Sequence, residues 1–275
     1  MSRHRVWCPG IERPQIGHYL VKNLFINQRL KGLLHKHPYK HKHPEYIMSY
    51  LEPIFLENIV KTAVKTIFEL GSRDLLDAHK LQDYYDCPVY AFECNPDCLE
   101  VCDTILASFQ NDKIHLVKKA VSLENGPITF YPFNLAKYDN MGASSMFKID
   151  FSRRDPCDPD CQRPNPQMEI VVEGTRLDTF MEECGIDTVD LLCIDLQGYE
   201  LNALKSLGKK LEMVKYVLTE CSINSTYIGG ASFAELAEYL AEAGFKYKCS
   251  NLFGYAYPEM DRRGFSEFDA LFIRV

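Results

Sequence analysis

Six residues that end on a carboxylate, Asp190-Leu-Leu-Cys-Ile-Asp195, constrain the architecture of this chain more than any other stretch. The apolar run from Leu191 to Ile194 is short and uninterrupted, the pattern of a strand buried on both faces of a parallel sheet. Gly198 then permits a sharp turn, and Leu201, Leu204 and Leu207 recur every three residues until Gly208 can close a helix. Asp195 therefore emerges at the carboxyl edge of the sheet, where open α/β folds hold their ligands. A carboxylate at that point would also serve as a cap for the following helix.

The rest of the chain from residue 66 repeats this unit. Thr66–Gly71 and Pro88–Glu93 read as the first and second strands, and Ile114–Val117 as the third. Leu191–Ile194 and Tyr216–Glu220 follow as the fourth and fifth, and Lys246–Cys249 and Ala270–Val275 as closing strands. Pro127–Pro132 reads as an added strand after a turn at Asn125-Gly126. Between them lie helical signals. Asn95 precedes Pro96 as a cap, Leu177–Cys184 forms a further helix, and Ser232-Phe-Ala-Glu235 is a capping box before an amphipathic run ending near Gly244. Alternating strands and helices specify a doubly wound, mostly parallel α/β sheet.

The totals set limits. At 275 residues, 46% hydrophobic and 25% charged, the chain can bury a large core and shows no compositional sign of long disorder. No apolar run approaches the roughly 20 residues that span a bilayer. The amino terminus lacks the apolar core of a signal peptide, so eleven cysteines read as reduced thiols of a soluble, cytoplasmic protein.

Residues 1–65 differ from the body. They carry 11 Lys/Arg against 4 Asp/Glu, and the remainder carries 20 against 34. Tyr46, Tyr50, Ile54 and Ile59 suggest a helix that Pro53 interrupts, so this part reads as a basic, partly helical extension. Residues 139–168, rich in Gly, Ser, Pro and Cys, read as a long irregular loop near the site. His35, His37, His41 and His43 form a basic surface segment rather than a metal centre. The single Cys157-x-x-x-Cys161 pair supplies too few ligands for structural zinc. No metal is expected.

Glu93 stands 22 positions after Gly71. A glycine turn followed by an acid at the end of the second strand is the logic of nucleoside binding, with the acid on the ribose hydroxyls. Ser72, Arg73, Asp74 and Leu75 follow Gly71, so the further glycines of a pyrophosphate cradle are missing. A nucleoside ligand without a diphosphate fits best.

At this point the chain resembles the FkbM-type S-adenosylmethionine-dependent methyltransferases. Their fourth-strand motif, Lys-Ile-Asp-Val-Glu-Gly-x-Glu with a following Leu-Lys helix, stands here as Cys193-Ile-Asp195-Leu-Gln197-Gly198-Tyr-Glu200 and Ala-Leu204-Lys205. Thr175–Phe180 resembles the family's Leu-Asp element, and Ala91–Pro96 its Phe-Glu-Pro element. Ala120-Val-Ser122 with Gly126 resembles its third-strand region, and Met141–Ser145 a small-residue loop before the fourth strand. The likeness runs from about Thr66 to Val275. Leu75 stands where the first motif normally has a second glycine, and Gln197 replaces the usual Glu.

The resemblance implies a Rossmann-like, seven-stranded sheet of the class I methyltransferase type over residues 66–275, with S-adenosyl-L-methionine as cofactor. Glu69, Gly71 and Ser72 would flank its methionine part. Glu93, with Cys94 and Asn95, would hold the ribose, Ala120 and Val121 would lie near adenine, and Asp195 and Leu196 would border the methyl group. Asp195 is the expected general base, and Glu220 at the next strand end is its second. Ser144, Ser145 and Gln197 are expected to meet the substrate. The activity implied is O-methylation of a hydroxyl group on a sugar or glycan-like small molecule. Two rivals are a nucleic-acid 2′-hydroxyl methyltransferase, motivated by the basic extension, and a non-catalytic binding module on the same fold.

Overall fold

The computed structural model describes residues 50–108, 112–134, 141–150, 167–251 and 267–275. The histidine tract, the Cys157–Cys161 pair, and the part of the extension before Tyr50 lie outside the described residues, as does most of the 139–168 loop.

The central sheet has seven strands: β1 (Ile67–Leu70), β2 (Val89–Phe92), β3 (Ile114–Val117), β7 (Val189–Ile194), β8 (Val214–Ser222), β9 (Phe245–Ser250) and β10 (Glu267–Arg274). Their spatial order is β3-β2-β1-β7-β8-β10-β9. The first five of these run parallel, and β10 lies antiparallel between β8 and β9. From β1 the chain first winds outward to β2 and β3, then returns to β7 on the other side. That reversal makes the β1/β7 junction the topological switch point, where such sheets bind ligands. All six residues of β7 are buried, as the apolar run required.

The helices are α1 (Pro53–Leu56), α2 (Leu76–Tyr85), α3 (Pro96–Ser108), α4 (Leu177–Cys184), α5 (Glu200–Ser206) and α6 (Phe233–Glu242). The Asn95 side chain accepts from Asp97 N at 3.2 Å, and Ser232 and Glu235 close the capping box that opens α6. Phe180 and Met181 of α4 pack with Phe68, Phe92, Leu204 and Leu240 in the main core. Among the described residues, no helix is long and apolar enough to cross a membrane.

The structure adds detail to three expectations. The strand around Pro127 is β5 (Gly126–Phe130), but it leaves the main sheet and pairs with β6 (Ile170–Thr175). With β4 (Ala120–Val121) these form a separate three-stranded sheet, order β4-β6-β5. Among the described residues of the helix expected across Tyr46–Ile59, only the four of α1 are α-helical, and Pro53 opens it rather than interrupting it. Proline has no N–H to lose at a first helical position. The boundary expected at residue 66 falls inside a compact unit spanning Ile47–Val275, with Phe55 and Val64 buried in it.

Asp190 within β7 and Asp195 just after it serve opposite edges. Asp190 Oδ2 accepts from Lys65 N at 2.8 Å and Thr66 N at 3.0 Å, fastening the chain where it enters β1. Asp195 leaves the other end.

Candidate functional site

Four neighbouring strand ends build one cleft. Ala120 and Val121 follow β3, Glu93 to Asn95 follow β2, Gly71 to Arg73 follow β1, and Asp195 to Gln197 follow β7. All line a cleft of about 840 Å³, its open mouth included. The sheet order therefore lays out its chemistry in sequence: apolar beyond β3, a carboxylate at β2, a backbone turn at β1, and acids at β1 and β7.

The turn after β1 bends through left-handed backbone at Gly71 (φ 91°), Arg73 (φ 51°) and Leu75 (φ 60°). A Cβ on Gly71 would meet the backbone oxygen of Asp195 at 1.9 Å. Glycine is required here because the two strand ends touch, a stricter reason than ligand approach. Leu75 adopts the left-handed conformation despite its side chain, and that side chain is fully buried. The glycine missing from the motif is thus replaced by a strained residue held through packing.

Glu93 is fixed by backbone alone. Its Oε2 accepts from Arg73 N at 2.8 Å, and its Oε1 accepts from Cys94 N and Asn95 N, each at 2.7 Å. Burial pushes its carboxyl above the usual range, while the three N–H groups pull it back. Oε2, with one bond made, keeps accepting capacity for a ribose hydroxyl. Glu69 receives the Ser72 hydroxyl, yet burial drives its carboxyl up to about 8, with Asp77, Asp74 and Glu93 adding to the rise.

The turn after β7 is held by Glu200, whose Oε1 accepts from Leu196 N and Gly198 N, each at 3.0 Å. The last acid of the motif is therefore a turn clasp. Gln197 sits at φ 54°, and its side chain is committed on every side. Its Nε2 donates to Asp195 Oδ1 at 2.7 Å and to Glu220 Oε2 at 3.0 Å, and its Oε1 accepts from Tyr227 OH at 2.8 Å. Burial raises both carboxyls. Glu220 rises well above its ordinary value because the Asp195 charge adds to its burial, whereas the Gln197 amide and the Arg73 charge favour ionised Asp195. Of the two, Glu220 is raised further.

Twelve of the fourteen expected site residues line the cleft; Ser145 and Glu220 do not. Ser145 is buried, and its Oγ donates to Gln197 O at 2.8 Å and accepts from Phe147 N at 3.0 Å, so it props the loop against the turn. Glu220 stands behind Gln197, beside Asp195. Ser144 does line the cleft, receiving Asn95 Nδ2 at 3.3 Å. Sequence reasoning missed Tyr50, Arg73, Lys119, Phe130 and Met146, which also line it. Arg73 and Lys119 were detectable as neighbours of motif residues; Tyr50, far away in the chain, carried no signal. Among the described residues, no group of three or more His, Cys, Asp or Glu is placed to hold a metal ion.

S-adenosylmethionine fits this donor set. The apolar stretch at Ala120 and Val121 suits a base, the backbone-fixed Glu93 suits a ribose diol, and Glu69 and Asp195 suit the positive charges of the methionine end.

A family model and a curated relative point the same way. The family model described as the methyltransferase FkbM domain matches residues 73–247. The 2-O-methyltransferase NoeI of Sinorhizobium fredii (strain NBRC 101917 / NGR234) is 27% identical over 223 residues, covering 78% of this chain and 85% of that protein. Among solved structures, methyltransferase FkbM from Methylobacillus flagellatus KT matches at 11% identity and TM-score 0.44, over 77% of this chain and 44% of its own. Fibrillarin of Aeropyrum pernix, solved with natively bound S-adenosyl-L-methionine, matches at 11% identity and TM-score 0.43, over 77% and 68%. With its family motif set on the carboxyl edge of a seven-stranded sheet, this chain belongs to the FkbM methyltransferases, which use S-adenosylmethionine.

Proposed function

We propose that the protein is an O-methyltransferase acting on a hydroxyl group of a sugar or glycan-like small molecule. The observation that carries this reading is the Asp195–Gln197–Glu220 arrangement at the end of β7. When bound, S-adenosylmethionine supplies a methyl group on a sulfonium, activated enough that the protein mainly positions and deprotonates. Asp195, ionised and lining the cleft, accepts the acceptor's hydroxyl proton as the oxygen takes the methyl group. Gln197 holds the Asp195 carboxyl in place through Oδ1.

The 2-O-methyltransferase name of NoeI supports a hydroxyl acceptor. The acidic lining of Glu69, Asp77, Glu93 and Asp195 disfavours an acceptor bearing phosphates, so a neutral glycan suits the cleft better than RNA. Eight cysteines among the described residues are free thiols, which supports a reducing compartment such as the cytoplasm.

The test combines calorimetry with S-adenosylhomocysteine and methyl transfer from labelled S-adenosylmethionine to a panel of mono- and oligosaccharides. Asp195→Asn should retain cofactor binding within a few fold and lose turnover by about 10²-fold or more, the usual contribution of a positioned base. Methylation of RNA but of no saccharide would overturn the acceptor assignment.

A further inference from the structure

Tyr50 lies 23 residues before the family-matched segment, yet it is buried and lines the same cleft as Gly71, Glu69 and Asp195. A short strap delivers it. Phe55 of α1 is fully buried, and α1 packs on β9. Asn251 Nδ2 donates to Glu52 Oε1 at 3.1 Å and to Asp269 Oδ2 at 3.2 Å, tying the strap to β10. Cys249 Sγ donates to Ile54 O at 3.4 Å, and Asn58 Nδ2 donates back to the same carbonyl at 2.8 Å. The strap is thus fixed at several points immediately beyond Tyr50.

The ties of the strap to β9 and β10 locate Tyr50 along the cleft, because both strands lie on the β7 side of β1, away from β2 and β3. Burial holds its phenol protonated, and the acids Asp195, Glu69 and Asp269 raise it further. Tyr50 therefore stands at the end that would receive the methionine part of the cofactor.

That end is rich in acids, and several of its side-chain N–H and O–H groups are already engaged. The Ser72 hydroxyl donates to Glu69. Both N–H bonds of the Gln197 amide go to Asp195 and Glu220. The Arg73 guanidinium pairs with Asp74, Nε to Oδ2 at 3.2 Å and Nη2 to Oδ2 at 3.1 Å. Lys119 lies beyond β3, at the other end. An amino-acid moiety brings an ammonium, which Glu69 and Asp195 suit, and a carboxylate, which they repel.

Resting on the cofactor reading above, we infer that Tyr50 is a cofactor-binding residue contributed by the strap, donating its phenolic hydrogen to the carboxylate of the cofactor's methionine end. Its ring forms the wall of that end, and its hydroxyl offsets the surrounding acids.

Calorimetry on the full chain tests this with two probes. S-adenosylhomocysteine carries the amino-acid end; 5′-methylthioadenosine has the same adenosine thioether without it. Tyr50→Phe keeps the ring and removes the hydroxyl. It should weaken S-adenosylhomocysteine by about tenfold, the scale of a hydrogen bond to a charged group, and leave methylthioadenosine within about twofold. Tyr50→Ala should weaken S-adenosylhomocysteine further, with thermal unfolding reporting that the fold survives; if it does not, Tyr50→Phe alone decides. Unchanged S-adenosylhomocysteine affinity in Tyr50→Phe, or equal weakening of both probes, would overturn the inference. Failure of the wild-type protein to bind either probe would instead overturn the cofactor reading itself.

Discussion

Gln197 Nε2 donates to Glu220 Oε2 across 3.0 Å, and the same nitrogen reaches Asp195 Oδ1 at 2.7 Å. A neutral amide thus bridges two buried carboxyls and satisfies an oxygen of each. This explains why glutamine suits a position where relatives carry glutamate: a third carboxyl would face two others. Gln197→Glu should lower stability by about 2 kcal/mol at pH 8, on the scale of an unsatisfied buried group. The carboxyl introduced would have a raised folded-state pKa. Its destabilisation is therefore absent below the unfolded value of about 4.3 and grows as pH rises. Thermal unfolding of both proteins from pH 5 to 8 checks this, and a pH-independent difference would contradict it.

Gly71→Ala places a methyl group where the Asp195 carbonyl oxygen now lies, at a φ of 91°. The ends of β1 and β7 cannot both stay in place. Loss of about 3 kcal/mol or more is expected, combining left-handed strain with steric overlap. Binding of S-adenosylhomocysteine should fall below detection even where the variant remains folded, which circular dichroism and calorimetry together would show.

Leu75 sets two effects against each other. Replacing it with glycine relieves left-handed strain of about 1–2 kcal/mol. It also removes a fully buried side chain, a change that costs about 2–5 kcal/mol. Packing wins, so Leu75→Gly should be destabilised by about 1–3 kcal/mol although it restores the family's residue. A denaturant midpoint above that of the wild type would mean that strain dominates.

Glu69 links the cleft to pH. Its carboxyl rises from an ordinary 4.5 to about 8 through burial. A raised folded-state value means that its contribution to stability is fully present below about 4.5 and is lost as pH climbs toward 8. A ligand bringing positive charge prefers the ionised form, so S-adenosylmethionine binding should release a proton and strengthen between about pH 6 and 8. Calorimetry in buffers of different ionisation enthalpy measures that proton. Glu69→Gln should abolish its release; an unchanged release would assign it to another group.

The central strands and the acids at their ends were legible in the sequence because both depend on local pattern. A buried parallel strand is a continuous apolar run, and its last residue is necessarily at the ligand-binding edge. β6 escaped because its residues alternate in burial, with Val171 72% exposed, and because it follows a Pro- and Cys-rich loop. The roles of Gln197, Ser145 and Glu200 were hidden for another reason. Each is defined by a partner, and motif spacing names residues without naming what they touch. Tyr50 is the extreme case: its surroundings come from strands β1, β7 and β10, and no periodicity connects them.

The segment that marks kinship, residues 73–247, begins after β1 and ends before β10. Yet β1 is the strand between β2 and β7, and β10 is the strand between β8 and β9. A fragment limited to residues 73–247 would lack two interior planks of the sheet, together with Glu69 and Gly71. What identifies the ancestry of this chain is therefore not something that can stand alone: the recognisable part is hung on strands drawn from its less recognisable flanks.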